Sequence, residues 1–68
     1  MAKIYITRYT YNLHCNDFRY LQSFAYCHFV NNGDVGIANK MWEKVNEAAK
    51  KSEKDAIKVL MNCYIGIK

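Results

Sequence analysis

The chain contains no proline and only three glycines in 68 residues, so it has few of the residues that interrupt helices and strands. No apolar run approaches the roughly 18 residues that a membrane-spanning helix needs. The N-terminal stretch also lacks the long apolar region and small-residue cleavage site of a secretory signal peptide. These absences predict a cytoplasmic protein that has no membrane partner.

Cysteine is scarce and odd in number: the chain has Cys15, Cys27 and Cys63. Secreted disulfide frameworks use even numbers, so reduced thiols are expected, with Cys27 and Cys63 as small buried apolar residues. The adjacent pairs His14–Cys15 and Cys27–His28 lack the spacing of zinc ligands. No glycine-rich phosphate loop is present. The sequence therefore predicts no metal site, no cofactor, no catalytic residue and no enzymatic activity.

The length and the composition limit the size of the core. A chain of 68 residues buries only about 60% of the surface that it exposes when unfolded, which leaves room for one domain over residues 1–68. Hydrophobic residues make up 51% of the chain, too many for a disordered protein. Residues with AT-rich codons outnumber those with GC-rich codons, which indicates a low-GC bacterium or one of its phages.

The first half of the chain is rich in β-branched and aromatic residues. This composition predicts a strand over residues 3–13. Residues 18–30 are ambiguous, and their aromatic density favours a second strand over a helix. The helical alternative would end at 31–33 in a left-handed cap. Its apolar stripe would consist of Phe18, Leu21, Ala25 and Phe29.

The second half gives a clearer pattern. Apolar residues recur every three or four positions after Asp34, which predicts a helix over about 35–52 with Asp34 as its N-cap. From 57 to 67, apolar residues occupy every second position, which predicts a strand with one buried face. A competing helix would begin at Ser52.

These segments predict the α+β class, with the order ββαβ. The expected sheet is three-stranded and largely antiparallel in the order 2-1-3, and the helix over about 35–52 covers one face. The alternative is a βααβ chain with a two-stranded sheet, which is weak without strong helix packing or dimerisation.

In the predicted sheet, alternation separates the side chains by chemistry. The aliphatic face would pack beneath Met41, Trp42 and Val45, and all six tyrosines would lie on the opposite, uncovered face. Exposed aromatic patches mark interaction sites, because tyrosine buries a large area and keeps a polar hydroxyl. The predicted partner-binding residues are Tyr5, Tyr9, Tyr11, Tyr20, Phe24, Tyr26 and Tyr64.

The sequence thus predicts a small protein-binding module. Its expected partner is a larger host protein or complex, which it would inhibit or modulate as a phage or bacterial accessory protein; a homodimer is the other option. The alternative is binding to single-stranded nucleic acid, since tyrosines can stack on bases and lysines are frequent in the second half. Carboxylates between these lysines and the presence of only two arginines disfavour this alternative.

Overall fold

Helices form most of the molecule in the computed structural model, which describes residues 3–68. Residues 1 and 2, the start of the predicted domain and of the stretch compared with a signal peptide, lie outside the described residues. The elements in chain order are β1 (Ile4–Ile6), α1 (Arg8–His14), α2 (Phe18–Asn31), α3 (Val35–Lys51), α4 (Glu53–Val59), a π-helical segment (Leu60–Tyr64) and β2 (Ile65–Ile67).

The predicted α+β fold is wrong, because the described residues are mostly helical and their two short strands pair only with each other, in parallel. Ile4 lies opposite Ile65 and Ile6 opposite Ile67. The predicted three-stranded, largely antiparallel sheet with one main helix is therefore replaced by four helices and a two-stranded sheet. The βααβ alternative has the right number of strands but only two of the four helices.

Residues 18–30, predicted as a strand, form most of α2. The helix begins where the Asp17 carboxylate accepts a hydrogen bond from the Tyr20 amide at 3.1 Å. Burial follows the helical period and decides the conformation, because five side chains reach the core from one stripe. These residues are Phe18, Leu21, Gln22, Ala25 and Phe29.

α2 ends in the left-handed cap that the helical alternative predicted. Gly33 has φ +85°, a backbone conformation that glycine adopts without a side-chain clash. The Asp34 amide donates to the Phe29 carbonyl at 2.8 Å, and the Gly33 amide donates to the Val30 carbonyl at 3.0 Å. This pair of bonds is a Schellman motif, and it turns the chain back into α3.

The predicted helix over about 35–52 is present as α3, and Met41 and Val45 lie fully buried on it. Asp34 occupies its N-cap position, but the Asp34 side chain forms no capping hydrogen bond. Trp42 differs from its neighbour Met41, because 38% of its surface remains exposed.

The predicted strand over 57–67 is wrong for most of its length. Ser52 Oγ accepts a hydrogen bond from the Asp55 amide at 3.1 Å and caps α4, as in the competing helix. Ala56 and Leu60, one helical turn apart, are fully buried. Alternation of apolar residues does not exclude a helix here, because it also places apolar residues four positions apart. Only Ile65–Ile67 is extended.

The first predicted strand, over 3–13, is also shortened. The chain leaves β1 at Thr7, whose hydroxyl accepts a hydrogen bond from the Thr10 amide at 3.2 Å and caps α1. No residue of α1 is buried. Ile4 and Ile6 of β1 join Ile65 of β2 in a single core with the buried faces of α2, α3 and α4.

Among residues 3–68, no helix has the length and apolar character that crossing a membrane requires.

Ser52→Ala tests the cap of α4. We expect a loss of about 0.5–2 kcal/mol in the free energy of unfolding, because the Asp55 amide loses its acceptor. Urea denaturation followed by circular dichroism measures the change. Ser23→Ala is the matched control, since Ser23 is exposed within α2. Equal stability of the two variants would contradict the cap.

Candidate partner-binding groove

The tyrosine face expected from the sequence does not exist as one surface, because its residues do not share a sheet. The structure distributes the seven predicted partner-binding residues over β1 (Tyr5), α1 (Tyr9, Tyr11), α2 (Tyr20, Phe24, Tyr26) and the π-helical segment (Tyr64). The premise of a common aromatic sheet face is therefore wrong. Whether each of these residues contacts a partner stays a prediction.

Their exposure also differs. Tyr9 and Tyr5 are exposed over 75% and 54% of their surface. The other five are partly buried against the core. Tyr64, for example, meets the buried Phe29 ring edge to face, with 6.1 Å between the ring centroids. Most of these rings therefore contribute to folding, which leaves less of their surface for a partner.

One row of rings runs along a flank of α2. His14 stacks on Tyr20 with 3.7 Å between centroids, and Phe24 lies 4.4 Å from His28. Tyr20 and Phe24 are 6.4 Å apart in a parallel arrangement. The His14 contact attaches α1, which has no buried residue, to α2. We assign this row to the packing of α1.

Tyr26 on α2 and Trp42 on α3 form another pair of rings, which is partly exposed to solvent. Tyr26 and Trp42 meet at 70° with 5.3 Å between their centroids, an edge-to-face arrangement. Together with Asn39 and Glu43 they line an open groove of about 480 Å³. We call these four residues the hairpin groove.

A buried amide holds the two walls of this groove in register. Gln22 is only 3% exposed and lies one helical turn before Tyr26. Its Nε2 donates to the Trp42 carbonyl at 3.3 Å and to Asn46 Oδ1 at 3.1 Å. A buried amide without partners is unfavourable, so these bonds favour the alignment of α2 and α3 that brings Tyr26 against Trp42.

Two further apolar side chains lie beside the groove, towards the loop that joins the helices. Val30 follows Tyr26 by one turn of α2, and Val35 precedes Asn39 by one turn of α3. They are exposed over 37% and 48% of their surface. The apolar surface therefore continues along this side of the hairpin, beyond the aromatic pair.

Trp42 was not predicted as a surface residue, because the sequence pattern placed it on the side of the predicted helix that packs against the sheet. A signal was present in the helical pattern. Trp42 follows the buried Met41 by one position, which rotates it about 100° around the helix axis towards Asn39 and Glu43. A tryptophan at the border between an apolar stripe and a polar face is placed to be partly exposed.

A larger groove of about 580 Å³ separates α3 from α4 and the π-helical segment. Its charged residues are Glu47, Lys51, Asp55 and Lys58, two of each sign. This balance gives the groove no preference for the phosphates of a nucleic acid, because the carboxylates offset the lysines.

The thiols do not occupy the positions expected from the sequence. Cys27 and Cys63 are exposed, so the prediction that they are buried apolar residues is wrong. Both cysteines lie in helical segments, on the side that faces away from the core. The predicted strands would have turned their side chains inward. Within residues 3–68, no three His, Cys, Asp or Glu side chains are grouped closely enough to hold a metal ion.

No protein-family model matches the chain, and neither a curated protein nor a solved structure matches it.

Gln22→Ala tests the register of the groove. We expect the free energy of unfolding to fall by about 1–3 kcal/mol, because the bond to the Asn46 side chain is lost. A double-mutant cycle with Asn46→Ala, measured by urea denaturation, isolates that bond from the loss of packing. Additive effects of the two substitutions would show that Gln22 and Asn46 do not interact.

The exposure of Trp42 is directly measurable, because it is the one tryptophan of the chain. We expect acrylamide to quench its fluorescence in the folded protein, since over a third of its surface is open to solvent. The unfolded chain in guanidinium supplies the reference for full exposure. Emission that acrylamide hardly affects would mean that Trp42 is enclosed, and the groove would not exist.

Proposed function

We propose that this chain is a non-enzymatic protein-binding module that docks through the hairpin groove. The observation that carries the proposal is the partial exposure of Trp42 against Tyr26, between two helices that a buried hydrogen-bond pair holds in register. Tryptophan and tyrosine are enriched among the residues that dominate binding energies at protein interfaces.

The mechanism is the burial of a preformed apolar surface. Tyr26 and Trp42 lie on helices with a common core, so little freedom is lost when a partner covers them. Val30 and Val35 would extend the contact towards the loop, and Asn39 and Glu43 supply polar groups beside the rings. An apolar centre with polar groups at its edge is typical of protein interfaces.

The biological role in this proposal is that of a small accessory protein. It would act in the cytoplasm by occupying a surface of a larger host protein or complex, in keeping with the AT-rich coding and the three free cysteines. A homodimer that uses the same groove is the other protein partner that fits. The aromatic residues outside the groove, Tyr5 and Tyr9 above all, would then be peripheral contacts.

Single-stranded nucleic acid is less well supported as a partner. Stacking on a base requires exposed rings beside basic side chains. The rings of the hairpin groove lie beside a carboxylate, that of Glu43, which repels phosphates.

A comparison of variants in a capture experiment tests the proposal. The tagged full chain is incubated with host lysate, with and without nuclease, and the captured protein is purified and titrated. We expect Trp42→Ala to weaken the complex by about 2 kcal/mol or more, because an interface anchor is lost. Leu13→Ala is the matched control, since it removes an exposed apolar side chain on α1, outside the groove.

Folding of each variant is checked by circular dichroism, and Tyr26→Ala provides a second variant if Trp42→Ala unfolds. Equal binding by wild type, Trp42→Ala and Tyr26→Ala would refute the groove as the docking site. Capture of nucleic acid alone, abolished by nuclease, would refute protein binding and favour the alternative.

A further inference from the structure

We propose that the hairpin groove binds a single lysine side chain of its protein partner, as a cation held against Tyr26 and Trp42 beside the Glu43 carboxylate. This inference rests on the proposed function and adds the chemistry of the group that the groove receives. An open groove with two aromatic walls and one carboxylate suits an alkylammonium ion, because both the rings and the carboxylate attract a cation.

The rings supply the first part of this recognition. Tyr26 and Trp42 meet at 70°, so they form two differently oriented walls of the same groove. The faces of aromatic rings carry negative potential, and tryptophan attracts cations most strongly among the aromatic side chains. The methylene groups of lysine would cover the apolar surface of the rings.

The carboxylate supplies the second part. Among residues 3–68, Glu43 forms no salt bridge, whereas Glu47 lies 3.5 Å from Lys50. Lys40 precedes Glu43 by one helical turn, yet the two side chains form no salt bridge. The carboxylate is therefore free to pair with an incoming cation, and the Asn39 side chain in the same groove offers a carbonyl acceptor.

The overall charge determines what kind of partner segment fits. The chain carries a net charge of +4, which opposes a strongly basic partner. At physiological ionic strength, charges beyond about 8 Å are largely screened, so the local carboxylate decides what enters the groove. We therefore infer one lysine on an otherwise neutral or acidic segment, rather than a polybasic one.

Three capped peptides test the inference. They share a glycine-serine sequence and differ at one central residue, which is lysine, trimethyllysine or the neutral norleucine. Binding to the full chain is followed by Trp42 fluorescence and by amide chemical shifts. We expect both charged peptides to bind more tightly than the norleucine peptide, by about 2- to 30-fold, the range of a cation–π contact.

Variants identify the groups responsible. Glu43→Gln keeps the shape of the side chain and removes its charge, so we expect it to weaken binding of the charged peptides and to leave norleucine binding unchanged. Glu53→Gln, at an exposed position in the first turn of α4, makes the same charge change and is expected to have no effect. Trp42→Leu, followed by chemical shifts, is expected to weaken binding of both charged peptides.

Each unfavourable outcome has a separate meaning. Equal affinity for lysine and norleucine peptides, or an unchanged affinity in Glu43→Gln, would overturn the cation inference. Saturable binding of tetramethylammonium chloride without binding of either charged peptide would overturn the protein lysine as the source. If the captured partner is still lost in Trp42→Ala after such a result, the proposed function stands without this inference.

Discussion

The alignment of the two long helices depends on a single buried side chain, Gln22. Its amide lies at the contact between α2 and α3, where it bonds to the Trp42 carbonyl and the Asn46 side chain. A shift of α3 by one helical turn would leave the amide buried without these partners, which is unfavourable by several times the thermal energy. Apolar contacts alone tolerate such shifts more readily, because they are not directional. The alignment that satisfies Gln22 is also the one that brings Tyr26 against Trp42.

Sequence patterns predicted one element well and the connectivity poorly. The helix over about 35–52 was recognisable, because Ala38, Met41 and Val45 recur at helical spacing and polar residues cover the other sides. Residues 18–30 were wrongly predicted as a strand, because their tyrosines and phenylalanines favour strands by intrinsic preference. Tertiary burial overrides that preference: the same segment also presents a helical stripe through Phe29, and that stripe packs into the core.

The ends of the chain illustrate a second reason for the difference. Alternation over 57–67 also contains apolar residues at positions four apart, so the pattern alone fits a helix and a strand. The capping position of Ser52 decides in favour of the helix. The parallel pairing of Ile4 with Ile65 has no local signature at all, since it joins residues near opposite ends of the chain. Of the four groove residues, only Tyr26 was among the predicted partner-binding residues. The contribution of Trp42 depends on which side of α3 faces the core.

The pairing of β1 with β2 has a consequence for how the protein is made. Ile4 and Ile6 are synthesised before the four helices, yet they obtain their strand partner only when residues 65–67 have been translated. Closing so long a loop is also entropically unfavourable until the helices between the strands have packed. Folding is therefore completed after translation of nearly the whole described chain. Until then Ile4 and Ile6, which are buried in the folded protein, lack the strand beside which they pack.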